Sequence, residues 1–147
     1  MTKWAWIMVP ALLLAGCSKQ PQPQAAQKTT IHEVMKEEVD PRADQVWAVG
    51  NAHMSEEAGL NGATMTDADW AKLAATATNL HRGALDLAGL PDPLTVVKAG
   101  QKIAYEDTDW GDKATSVQQN VSKDPQGLRD LANALAQHTA DLAAAAN

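Results

Sequence analysis

Residues 66–90 read TDADWAKLAATATNLHRGALDLAGL, and this stretch decides the fold class. Thr66 stands three positions before Asp69, the spacing of a capping box, in which hydroxyl and carboxylate each bind the other residue's backbone N–H. Behind it, Trp70, Leu73, Ala74, Ala77, Leu80, His81, Ala84, Leu87 and Ala88 recur at intervals of three and four, marking one helical face. Gly89 and Pro91 stand in stop positions. The spacing predicts a helix over about 67–88.

The same period recurs on both sides. Upstream, Ile31, Val34, Met35, Val39, Ala43, Val46, Trp47 and Gly50 form a stripe over residues 30–51. Pro41 removes a helical donor, so a kink or short break is expected at Asp40-Pro41. Downstream, Asp124-Pro125 reads as N-cap and first helical residue, followed by the stripe Leu128, Leu131, Leu135, His138 and Leu142. Between them, Trp110, Ala114, Val117 and Val121 suggest a further helix from about 109 to 123, a pattern weakened by Gly111 and polar 118–120. No stretch alternates as a strand does. The expected fold is all-α, an antiparallel up-and-down four-helix bundle over residues 31–147, because each amphipathic helix must bury its stripe against others. Trp47, Trp70 and Trp110 are expected as its large core aromatics, since the chain holds no Phe and a single Tyr.

The N-terminus carries an address. Met1-Thr2-Lys3 is followed by an apolar run over residues 4–14 and by Ala15-Gly16, the layout of a secretory signal. The run is too short to span a bilayer, which takes about 20 apolar residues. Leu14-Ala15-Gly16-Cys17 resembles the bacterial lipobox, in which the signal is cut before a cysteine that takes a diacylglyceryl group. Cys17 is the only cysteine. Residues 1–16 are thus read as a signal peptide, and Cys17 as the lipidated residue that holds the protein to a membrane. Ser18 rather than Asp follows it, which by analogy to Gram-negative lipoproteins implies the outer membrane, with the domain facing the periplasm. Residues 17–30, with two prolines, four glutamines and little that is apolar, read as a disordered tether.

The net charge of −6 becomes one unit more negative when Lys3 leaves with the signal. That balance argues against a nucleic-acid partner and against a second electrostatic grip on anionic lipid.

Val39-Asp40-Pro41, Ala43-Asp44, Val46-Trp47 and Val49-Gly50, with Met35 before them and the Thr66-to-Trp70 opening after, resemble the first two helices of the cytochrome c′ and cytochrome c556 family. The resemblance covers residues 31–90 and is faint beyond, carried by Trp110 and the helix start at Asp124. It implies an up-and-down four-helix bundle, pairing as a homodimer through the first two helices, and heme attached near the C-terminus through Cys-x-x-Cys-His. The attachment is missing here. Thr139 and Leu142 stand at the positions of the thiols and Ala143 at that of the axial histidine, so covalent heme is excluded. The space a macrocycle would fill must then be taken by Trp and Leu side chains, by a small apolar ligand, or by an envelope partner protein.

Few residues suggest further chemistry. His138, beside the lost motif, could ligate noncovalent heme. Met35 resembles the position of the second axial ligand in cytochromes c556. Packing at a bundle seam is the ordinary reading of both. His81 and His138 together fall short of a metal ligand set. His32, His53 and the pairs Glu37-Glu38 and Glu56-Glu57 read as solvated or loop groups. No elbow-type nucleophile or phosphate loop is present, so no catalytic residue is assigned. The expected function is a heme-free, cytochrome c′-like lipoprotein serving as a binding or interaction module. The alternative is an electron-transfer or gas-sensing protein with noncovalent heme.

Overall fold

The structure, a computed structural model, describes residues 28–56 and 59–147. It is all-α apart from one small hairpin. The elements are α1 (Ile31–Val34), a π-helical turn (Met35–Val39), α2 (Asp40–Asn51), β1 (Met54–Ser55), β2 (Gly59–Leu60), a 3-10 turn (Gly62–Thr64), α3 (Asp67–Ala88), α4 (Ala114–Lys123) and α5 (Pro125–Ala145). Among the described residues, no helix is long and apolar enough to cross a membrane.

α3 is the central helix. Its N-terminus is closed by the reciprocal box, with the Thr66 hydroxyl accepting from the Asp69 N–H and the Asp69 carboxylate accepting from the Thr66 N–H. Removing such a cap costs about 1 kcal/mol. Thr66→Ala should therefore lower the unfolding free energy by about that much, read as a drop in denaturant midpoint at unchanged slope. The far end is closed in trans. Arg129 of α5 donates to the carbonyls of Ala88 and Leu90 and to the Asp92 carboxylate, placing a cation where the helix leaves its last acceptors free.

α1 and α2 run antiparallel to α3. Arg42 donates to the Asn79 carbonyl, and a Cβ on Gly83 would lie 3.3 Å from the Glu38 backbone, so the two helices meet backbone to backbone there. α5 also runs antiparallel to α3, as shown by Arg129 at Ala88 and by the His81 ring nitrogen, 2.8 Å from the Ala136 carbonyl.

The first helical run does not break at Asp40-Pro41. The π turn just before it takes up the proline instead, with the Asp40 N–H reaching Met35, five residues back. The turn also resets the phase. Val34 and Val39 are both buried, although five α-helical residues would place them about 140° apart. The line continues through half-buried Val46 to buried Val49 and leaves Trp47 on the flank, 72% exposed.

Trp47 is therefore not a core residue, and neither is Trp110, which is 73% exposed. Trp70 is half-buried. The core is aliphatic and small. Ala74, Ala77 and Ala84 of α3 and Ala132, Ala136, Thr139 and Ala143 of α5 are buried, so these two helices close on methyl-sized groups. The α5 face is rotated from the leucine stripe that the sequence suggested. Leu131 is 72% exposed, Leu128 and Leu135 are half-buried, and His138 is exposed. Alanine on both sides permits a closer helix approach than leucine, and that approach decides the face.

The helix expected from 109 is shorter, beginning at Ala114. The preceding segment serves as a strap. The Ile31 and His32 amides, free at the start of α1, donate to the Thr95 and Val96 carbonyls at 2.9 Å each. Gln118 of α4 holds the other side of the strap, accepting from the Val96 N–H (2.8 Å) and donating to the Leu94 carbonyl (2.9 Å). Gln118, one of the polar residues that weakened the helical pattern, thus anchors α4. Tyr105, with φ at 62°, stacks on Trp110 with ring centroids 4.9 Å apart. A Cβ on Gly111 would fall 1.8 Å from the Tyr105 carbonyl oxygen, so only glycine fits there.

Glu33 ties these pieces together. It pairs with Lys98 and accepts from the Thr29 and Thr30 N–H groups. The Lys98 ammonium and then the Thr29 amide hold its carboxyl pKa down to about 2, against the usual 4.5. A depressed carboxylate contributes stability that is present above about 4.5 and is lost as pH falls towards 2. Lys98→Ala should move the Glu33 carboxyl titration, followed by carbon-detected NMR, back up towards 4.5.

Candidate functional site

The apolar clusters lie at opposite ends of α3. One gathers Ile31, Val34, Leu87, Leu90, Leu94 and Val96, with Met35, Val117 and Leu135 against it. The other gathers Val49, Leu73, Ala74 and Ala146, with Trp70, Met65 and Leu142 against it. Above the second cluster opens a groove of about 560 Å³.

The groove's walls follow from the hairpin. Met54 pairs with Leu60 and Ser55 with Gly59 in antiparallel register. Residues opposite each other in an antiparallel pair project to the same face, so Met54 and Leu60 stand side by side. Both are largely exposed, as is Trp47 at the end of α2. Trp70, Met65, Leu73 and Leu142 complete the lining, and no lining side chain is charged. Volume and lining fit the range of small-molecule sites, about 300–1,000 Å³ and mostly apolar with few polar groups.

A polar brace holds the hairpin onto α3. His53 lies with one ring nitrogen 3.0 Å from the Thr64 hydroxyl and the other 3.4 Å from the Asp69 carboxylate. The His53 carbonyl accepts from the Asn61 N–H at 3.0 Å. The Thr66 hydroxyl and amide, then His53, push the Asp69 carboxyl below its usual value. His53 and Asp69 were read from the sequence as a loop group and a cap. The structure makes them one support.

Of the residues singled out in the sequence, Cys17, the signal peptide and residues 17–27 of the tether lie outside the described residues. His138 is exposed and belongs to neither cluster, whereas Met35 packs against the first. The structure brings them into no shared cluster. His81, half-buried, bonds the Ala136 carbonyl across the α3–α5 contact, so its Nδ1 carries the proton. Glu38 pairs with Arg42 and Lys28 rather than lying free. Among the described residues, no group of three His, Cys, Asp or Glu side chains is placed to hold a metal ion.

Sequence reasoning placed Trp47, Trp70 and Leu142 on core stripes and did not find the groove. Two-residue strands carry no alternation to detect. The available signal was the apolar pair Met54 and Leu60 bracketed by Gly59, Asn61 and Gly62. The chain matches no family model, no curated protein and no solved structure.

Proposed function

We propose that the protein is a heme-free relative of the cytochrome c′ bundles, tethered by lipidated Cys17 to the outer membrane, that binds a small apolar ligand or an apolar group of an envelope partner. In this reading α4 and the strap before it together fill the third position of an up-and-down four-helix bundle. The observation that carries the proposal is the uncharged groove with Trp47, Met54 and Leu60 exposed at its rim. Apolar side chains gathered in a concavity, rather than scattered, mark a binding surface. The alanine contact of α3 with α5 supports a heme-free interior, because the helices meet on small groups and leave the large aromatics outside. The alternative, noncovalent heme, would rest on His138, an exposed side chain that belongs to neither cluster.

The test is a titration of the mature chain, residues 17–147, with N-phenylnaphthylamine, a neutral fluorophore that brightens in apolar surroundings. Saturable one-site binding supports the reading, and a linear, unsaturable response rejects it. Hemin titrated in parallel should give no stoichiometric Soret band. The anchor is tested separately. In Gram-negative cells the intact mass should be that of residues 17–147 carrying a diacylglyceryl group on Cys17, and an unmodified Cys17 would remove the lipid from the account.

A further inference from the structure

The groove's chemistry and the position of the N-terminus together point to one occupant. None of the lining side chains is charged, and Asn51 supplies the one side-chain amide. A carboxylate or ammonium group buried there would lack a partner, while an uncharged alkyl chain would not. Met54 and Met65 suit such a chain, because thioether side chains adapt to irregular apolar shapes.

The chain itself holds an anchor point for one within reach. The groove lies beside Gly50 and Asn51, at one end of the first helical run. The N-terminal segment arrives at the other end, where the Ile31 amide bonds Thr95. At 1.5 Å per residue the two ends are about 30 Å apart. Cys17 precedes Lys28 by eleven residues. Extended chain of that length covers about 36–40 Å.

The direction is also marked. Lys28 pairs with Glu38 and, at 3.5 Å, with Glu37. Glu38 lies seven residues past Ile31, about 10 Å along the helix. A chain leaving α1 along its axis would carry Lys28 away from Glu38. The pairing therefore sets Lys28, the first described residue, alongside the helical run, about 18 Å short of Gly50.

We propose that the groove holds an acyl chain of lipidated Cys17 of the same molecule. This inference rests on the lipid anchor and the apolar groove proposed above. A tether of this length presents its own end at about millimolar effective concentration, so the intramolecular chain outcompetes a dilute free ligand. Away from a bilayer the acyl chain is sheltered. Insertion into the membrane empties the groove, and by linkage an apolar ligand in the groove favours the inserted state.

Because Cys17 is the only cysteine, the unlipidated mature chain can be alkylated there alone, with N-ethylmaleimide or with N-hexadecylmaleimide. Both adducts are titrated with N-phenylnaphthylamine at concentrations where sedimentation shows monomers. The hexadecyl adduct should bind the probe at least tenfold more weakly than the ethyl adduct. One equivalent of free N-hexadecylsuccinimide added to the ethyl adduct should leave probe binding unchanged, because it lacks the effective concentration of the tethered chain. Equal probe affinity of the two adducts would overturn the inference. So would a loss that the free compound reproduces, or one that appears only in oligomers and disappears on dilution. An ethyl adduct that binds no probe would instead reject the groove as an apolar site, and this inference with it.

Discussion

Leu80→Ala should lower the unfolding free energy by about 2–5 kcal/mol, the range for truncating a buried leucine, while Trp110→Ala should change it by no more than about 0.5 kcal/mol. Leu80 is 6% exposed and sits in the cluster that joins α1, α3 and the strap. Trp110 is 73% exposed and packs on Tyr105 outside that cluster. The order inverts the intuition that the largest aromatic contributes most. Against a typical stability of 5–15 kcal/mol, the leucine variant should lose a large part of its folded margin. Paired denaturant melts with unchanged slopes would check it. A Trp110→Ala loss comparable with that of Leu80→Ala would mean that the aromatic pair belongs to the core after all.

The second large effect concerns the groove. Met54→Glu should weaken N-phenylnaphthylamine binding by more than tenfold and leave the melting temperature nearly unchanged. Met54 is 57% exposed, so its replacement opens no cavity, and Glu at the rim places a charge where no cation lines the wall. Every tenfold loss corresponds to about 1.4 kcal/mol of binding free energy, within reach of one desolvated charge. Met35→Leu, in the distant cluster, serves as the control and should leave probe binding alone. Loss of folding in Met54→Glu would show instead that the hairpin carries stability, and its exposure argues against that.

Much of the fold was legible because its signals are local. Thr66 with Asp69, and Asp124 with Pro125, are complete within four residues, and both helices begin where those residues place them. The helix faces were less legible. Trp47 and Leu131 carry strong apolar character, yet both are exposed, because burial is decided by what the opposite helix offers. Alanines on α3 meet alanines on α5, and no reading of one helix alone shows that match. The π turn was hidden for a similar reason. Pro41 announced a disturbance, but whether the chain kinks or widens depends on keeping Val34 and Val39 on one face against α3. The groove needed a hairpin of two-residue strands, the brace from His53 to Asp69, and the last turns of α5, parts separated by up to ninety residues.

The most direct test of the groove as the binding site uses the three tryptophans of residues 17–147, at positions 47, 70 and 110. Trp47 and Trp70 line the groove, and Trp110 stands on the loop before α4. In ¹⁵N-labelled protein comprising residues 17–147, the three indole N–H signals would be followed as N-phenylnaphthylamine is added. Movement of the Trp47 and Trp70 signals to a common saturation point, with Trp110 stationary, is the predicted result. Saturable movement of Trp110 alone, or no saturable movement of Trp47 and Trp70, would contradict it.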